Sequence, residues 1–186
     1  MDVRHPDFRH GTELATSFTA TLSERHGQAL ERIPTPDRLA DWFRFSGLPV
    51  DSCTAADLER AQELRESIHL AATAAALGNA APEHARRIIN ECSTRGQVAP
   101  VLTVAGERQW ERGAATAVEA ALGRIAADAI DIIAGERDGR LALCASPTCR
   151  AAFFDTSRGR TRRWCDMNTC GNKQKKERLG ARTNRS

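Results

Sequence analysis

Four cysteines fall within 27 residues as Cys144-x4-Cys149-x15-Cys165-x4-Cys170, the second pair inside the run RWCDMNTCGNKQKK at 163–176. Zinc prefers four tetrahedral ligands, and thiolates at about 2.3 Å satisfy it fully. Two short-spaced pairs, separated by a segment long enough to fold back, deliver that geometry, and gaps of four lie within the usual range. A redox role calls for Cys-x-x-Cys or an exposed thiol of low pKa, and the Cys-x-x-Cys spacing does not occur. The pattern predicts one structural zinc per chain, held by Cys144, Cys149, Cys165 and Cys170. A shell of four thiolates leaves no open position for hydrolytic chemistry.

The metal constrains the elements around it. Pro147 in CASPTC helps turn the chain so that both sulfurs of the first pair face one point. Positions five apart on an α-helix diverge by about 140° at 3.6 residues per turn. Cys165 and Cys170 therefore cannot both sit mid-helix. Cys165 is expected at a strand end and Cys170 in the first helical turn, with Asp166 as N-cap. The helix N-terminus then favours the thiolate. Between the pairs lie Phe153, Phe154, a turn at Ser157-Arg158-Gly159, and Trp164. At least two of the three aromatics are expected beneath the metal, and zinc supplies folding free energy on the order of 10 kcal/mol that so small a module lacks.

Cys53 and Cys92 stand apart and read as packing residues, as free cysteine commonly does. The histidines show no metal-ligand or nucleophile–base spacing, and the body carries no phosphate loop, Gly-x-Ser-x-Gly or cofactor fingerprint. No catalytic residue is assigned, and an enzyme is the least favoured class.

Charge is unevenly placed. Residues 144–186 hold 11 Lys/Arg against 3 Asp/Glu, while residues 1–143 hold 16 against 21, within a net charge of +3. All three lysines lie in the last 14 residues. A mildly acidic body with a strongly basic end suggests that the end meets a polyanion. No apolar run approaches the length of a membrane span. The N-terminus lacks a basic-then-apolar leader, so a cytoplasmic location with reduced thiols is expected.

The elements that carry this module read as mainly α, with a small β-hairpin. Residues 12–33 suggest a helical segment with Leu14, Phe18, Leu22 and Leu30 roughly on one side. Thr35 and Pro36 form an N-cap and first-turn pair for a helix that Gly47 ends. Thr54 caps a helix of about five turns through Leu58, Ala61, Leu64, Ile68, Ala71 and Ala75. A short helix at 83–92 precedes a hairpin turning at Ala105-Gly106. Val118, Leu122, Ile125, Ala129 and Ile132 mark the last body helix. The polar, Gly-punctuated GERDGR places a boundary between a helical domain, 1–140, and a zinc finger, 141–186, expected to be a treble-clef-like hairpin plus helix with a basic C-terminal helix or tail.

FDTS (154–157), RWCDMNTCGNK (163–173) and the upstream Cys-x4-Cys resemble the CGNR zinc finger of bacterial proteins. Cys170, Gly171 and Asn172 match the tetrad, and Lys173 stands where it has arginine. The body, through RIPTPDRLADWFRFSGLP (32–49), the long helix and the hairpin, is similar to the ABATE-like stress-induced transcription regulator domain that accompanies this finger. The opening LDFVNT pattern is poorly kept as TSFTAT at 16–21. The resemblance implies a DNA-binding regulator.

The expected partner is double-stranded DNA. Arg158, Arg160, Arg162, Arg163, Lys173, Lys175, Lys176, Arg178 and Arg182 would face phosphates, which give affinity but no sequence information. RNA is the weaker alternative, because the finger lacks interleaved exposed aromatics. A zinc-stabilised protein–protein adaptor with a merely solubilising tail is the alternative from another class. The body is expected to supply a homodimer surface, or a small-molecule pocket near Trp42, Phe43 and Trp110. The competing reading makes all three ordinary core residues.

Overall fold

The structure, a computed structural model, describes residues 6–9, 11–96, 98–112 and 115–176. Its body runs α1 (Leu14–Thr19), β1 (Leu22–Ser23), β2 (Leu30–Glu31), α2 (Pro36–Phe45), α3 (Ala55–Ala76), α4 (Glu83–Gly96), β3 (Val98–Leu102), β4 (Arg108–Arg112) and α5 (Ala117–Ala134). The finger follows with β5 (Arg140–Leu143), β6 (Ala152–Asp155) and a π-helical turn, Met167–Gly171. The three sheets are two-stranded antiparallel ribbons, β1–β2, β3–β4 and β5–β6.

Capping chemistry sets the long helices, at Thr35 and Thr54 as the sequence predicts and at Thr116 as well. Thr35 Oγ1 accepts from Arg38 N at 3.3 Å with Pro36 in the first turn. Thr54 with Asp57, and Thr116 with Glu119, form reciprocal capping boxes for α3 and α5. Val118, Leu122, Ile125, Ala129 and Ile132 are all buried on α5. Trp42 and Phe43 are fully buried, with Trp42 5.0 Å from Phe18 and 5.8 Å from Phe43 between ring centroids.

The first segment departs from the helical reading. α1 stops at Thr19, because Thr19 Oγ1 donates to Thr16 O and Thr21 Oγ1 donates to Phe18 O, offering the last carbonyls an alternative to further turns. Glu24 (φ 51°) and Ala29 (φ 48°) then reverse the chain into the β1–β2 ribbon. Two buried arginines fix this reversal. Arg32 donates to Asp7 O and Ser23 Oγ, while Arg65 on α3 grips both Glu31 carboxylate oxygens at 2.8 Å.

α4 and α5 cross where two glycines meet. A Cβ on Gly123 would stand 2.5 Å from Gly96 Cα and 3.2 Å from Cys92 O, both backbone atoms. Gly123→Ala is expected to lower stability by about 2 kcal/mol, since overpacking of about 3 kcal/mol outweighs a helix-propensity gain of about 1 kcal/mol. Urea unfolding checks this, and an unchanged midpoint would mean that the helices separate freely.

The core continues across the boundary expected at 140. Leu141 and Phe154, paired across β5–β6, pack into the body's cluster, while their neighbours Ala142 and Phe153 face the other way.

Candidate metal centre

In the β5–β6 ribbon, residues directly opposite each other share a face, and successive pairs alternate. The Leu141–Phe154 face is committed to the body, so the Ala142–Phe153 face is left to the cysteines. Cys144 N donates to Ala151 O at 2.9 Å, carrying the ladder one step past the strands. Between them, Cys149 N and Arg150 N both reach Ser146 O at 3.1 Å, and Arg150 takes φ 50°. This tight knuckle around Pro147 aims Cys144 and Cys149 at one point.

The second pair solves the five-residue problem differently from expectation. Cys165 lies in a bend rather than at a strand end. Asp166 is the N-cap, as read from the sequence, accepting from Asn168 N at 2.8 Å and Thr169 Oγ1 at 3.0 Å. The turn it caps is π rather than α: Gly171 N donates back five residues to Asp166 O at 3.1 Å. The wider turn brings a residue five positions on back over its start, which an α-turn cannot. Gly171 sits against Met167 and Trp164, where a Cβ would lie 3.2 Å from Met167 Sδ.

The four Sγ atoms lie within 4.8 Å of one another, with Cys149–Cys165 and Cys165–Cys170 each at 3.6 Å. Tetrahedral thiolates at about 2.3 Å from zinc stand about 3.8 Å apart, so the donor set fits the ion. Cys144, Cys149 and Cys170 are buried, and Phe153 and Trp164 pack against the group. Without a cation the sulfurs compete for protons. Contacts from Cys149, Cys165 and Cys170 hold Cys144 low, whereas contacts from Cys144 and Cys149 hold Cys165 and Cys170 high. Bound as zinc ligands, all four would be thiolates and the conflict would not arise. Cys53 and Cys92 behave otherwise: burial pushes Cys53 up to about 11 and also raises Cys92, and both pack against the body core.

Two residues organise the loop between the pairs, and their roles were not apparent in the sequence. Asp155, fully buried, accepts from Ser157 N and Arg162 N at 2.9 Å each, and its hydrogen bonds with Ser157 lead in holding the carboxyl below its ordinary range. Arg162 turns inward. Its Nε donates to Trp164 O at 2.8 Å, its Nη2 donates to Cys165 O, and its guanidinium lies 5.3 Å over the Phe153 ring. Arg162→Gln is expected to weaken zinc binding by about 10- to 100-fold in chelator competition, the usual cost of losing a group that orients a ligand. Arg162→Lys would rescue little, because it lacks the fork. Unchanged zinc affinity in Arg162→Gln would remove it from this role.

The other cations divide. Arg160 pairs with Asp138 and donates to Gly139 O. Lys173 holds Glu24 at 3.2 Å and reaches Thr148 Oγ1 at 3.5 Å, beside the bond from His26 N to Thr148 O. The point charge at the fourth tetrad position is thus engaged with the body. Arg163 is exposed, 5.4 Å over Trp164. Arg158, Lys175 and Lys176 are exposed and make no ion pair among the described residues. Arg178 and Arg182 lie outside the described residues.

The three aromatics of the expected pocket stand in different surroundings. Trp42 and Phe43 are 0% exposed and belong to the body core. Trp110 stands instead on the β3–β4 ribbon, 39% exposed between Arg108 and Arg124.

A family model described as "CGNR zinc finger" matches residues 140–183. A second, the ABATE model, described as "Putative stress-induced transcription regulator", matches residues 12–136, more than half of the chain. The chain belongs to the ABATE family. The CGNR match begins at Arg140, where β5 begins, and spans all four thiols. With the Sγ cluster, it assigns this ABATE-family chain one structural zinc. Both families are regulator-like or metal-binding rather than enzymatic in description. No curated protein matches the chain. Among the described residues, no helix is long and apolar enough to cross a membrane.

Proposed function

We propose that this chain is a zinc-dependent, non-enzymatic DNA-binding protein that regulates transcription in the bacterial cytoplasm. The observation that carries the reading is the exposed set Arg158, Arg163, Lys175 and Lys176, fixed on a finger whose metal shell is closed. Four cations on a rigid module suit a phosphate backbone, and closure of the shell supports structural rather than catalytic zinc. Duplex DNA is favoured over single-stranded RNA by the fate of the aromatics. Phe153 and Phe154 are buried and Trp164 is half-buried, so they offer little open ring surface for base stacking. Because one finger covers few base pairs, the proposal includes dimerisation through the body.

Fluorescence anisotropy of a random duplex against the zinc-loaded full chain tests the reading. Four phosphate contacts predict a fall in affinity of roughly 150-fold between 50 and 200 mM salt, at about 0.9 per contact. A chelator should abolish the binding. A flat salt response would favour the protein–protein adaptor instead, and light scattering on the same sample tests the dimer.

A further inference from the structure

We propose that the groove between the end of α3 and the finger carries a strand of the DNA backbone, with Arg140 and Arg150 as phosphate contacts beyond the exposed set named above. The proposal rests on the duplex reading and extends it onto the body. The groove is open and measures about 400 Å³. Ala76 and Leu77, at the C-terminal end of α3, form its wall on the body. Arg140 at the start of β5, Arg150 in the cysteine knuckle and Arg163 line it from the finger.

Charge and continuity select the occupant. No Asp or Glu lines the groove. Arg140, Arg150 and Arg163 are exposed and form no ion pair among the described residues. Arg140 Nη2 donates to a neutral acceptor, Arg160 O, at 3.0 Å, and the nearby carboxylate of Asp138 is taken by Arg160. Arg150 N donates to Ser146 O and its backbone takes φ 50°, so the knuckle that aims two thiols also fixes where this side chain leaves the chain. Guanidinium groups grip phosphate oxygens in pairs. A lone phosphate on so open a surface is screened by salt and held weakly. A phosphodiester chain sets successive charges on all three arginines and releases a counterion from each. Arg163 belongs both to the groove and to the set Arg158, Arg163, Lys175 and Lys176, so a strand held by that set reaches the groove through a shared side chain. Leu77, 60% exposed, offers the sugar edge an apolar neighbour. The C-terminal carbonyls of α3 repel anions, which keeps the phosphates on the finger side.

The test is fluorescence anisotropy of a random duplex at several salt concentrations, with the zinc-loaded full chain. Two added contacts raise the expected slope of log K against log salt from about 3.6 to about 5.4, at about 0.9 per phosphate. Arg140→Gln combined with Arg150→Gln should lower the slope by about 1.8 and, at roughly 0.1 M salt, weaken binding about 50-fold. Leu77→Glu sets a carboxylate on the body wall and should weaken binding about three- to fivefold at low salt. Leu102→Glu, at another exposed leucine outside the groove, should not. If the double variant loses its zinc, Leu77→Glu decides alone. A parent slope of about 3.6 that the double variant leaves unchanged would overturn the groove and keep the duplex reading. A flat parent response would overturn both. A double variant that loses polyglutamate binding but keeps the duplex slope would assign the groove to an acidic protein surface and overturn the proposal.

Discussion

Cys170→Ser is expected to strip the chain of its zinc and to unfold the finger, with a measurable loss of stability in the body. Four-thiolate zinc contributes folding free energy on the order of 10 kcal/mol, more than a module of this size can replace from its own core. The finger's apolar cluster consists of Phe153 and a few partly buried neighbours around the sulfurs. Without the ion, the contacts that set Cys165 and Cys170 against Cys144 and Cys149 return. The body is affected because Phe154, 2% exposed, and Leu141 complete its core from β6 and β5. Losing the packing of one large buried aromatic costs about 3–5 kcal/mol. The Thr12–Phe154 O and Lys173–Glu24 contacts would be lost with it. Metal analysis should show about one zinc in the parent chain and near none in the variant, while Cys92→Ser keeps its zinc. Equal zinc in Cys170→Ser would remove that residue from the shell. An unchanged body melting temperature would show that the two parts fold independently.

What the sequence disclosed depended on whether a residue's type or its direction mattered. The zinc ligands were legible because few arrangements other than a tetrahedral ion bring together two short-spaced cysteine pairs. Helices α2 and α3 were legible because Thr35 and Thr54 act on donors three residues away, and α5 because Val118, Leu122, Ile125, Ala129 and Ile132 repeat at helical spacing. The first segment was misread because Leu14, Phe18 and Leu22 repeat at helical spacing, while hydroxyls from Thr19 and Thr21 and the distant Arg65 decide the backbone. The π-turn was hidden because nothing in DMNTCG announces one extra residue per turn. The arginines of RGRTRR look equivalent as charges. Only the fold shows Arg158 and Arg163 exposed, Arg160 tied to Asp138, and Arg162 holding the carbonyl of a metal ligand.

That division gives the second large effect. Changing Arg158, Arg163, Lys175 and Lys176 together to glutamine should flatten the slope of log K against log salt by about 3 to 4, at about 0.9 per phosphate. At roughly 0.1 M salt, the same loss of counterion release lowers duplex affinity on the order of a thousandfold. Lys173→Gln is expected to leave the slope unchanged, because a cation already neutralised by Glu24 at 3.2 Å releases no counterion on binding. Arg162→Gln, assayed at saturating zinc, should likewise keep the slope, since its guanidinium faces Trp164 O and Cys165 O. Anisotropy titrations at several salt concentrations measure all three variants. An unchanged slope in the fourfold variant would mean that none of these side chains touches phosphate. A slope reduced by about 0.9 in Lys173→Gln would mean that Lys173 leaves Glu24 for the backbone. In that case Glu24→Gln should bind the duplex more tightly than the parent chain, because DNA would no longer compete with a carboxylate for the lysine.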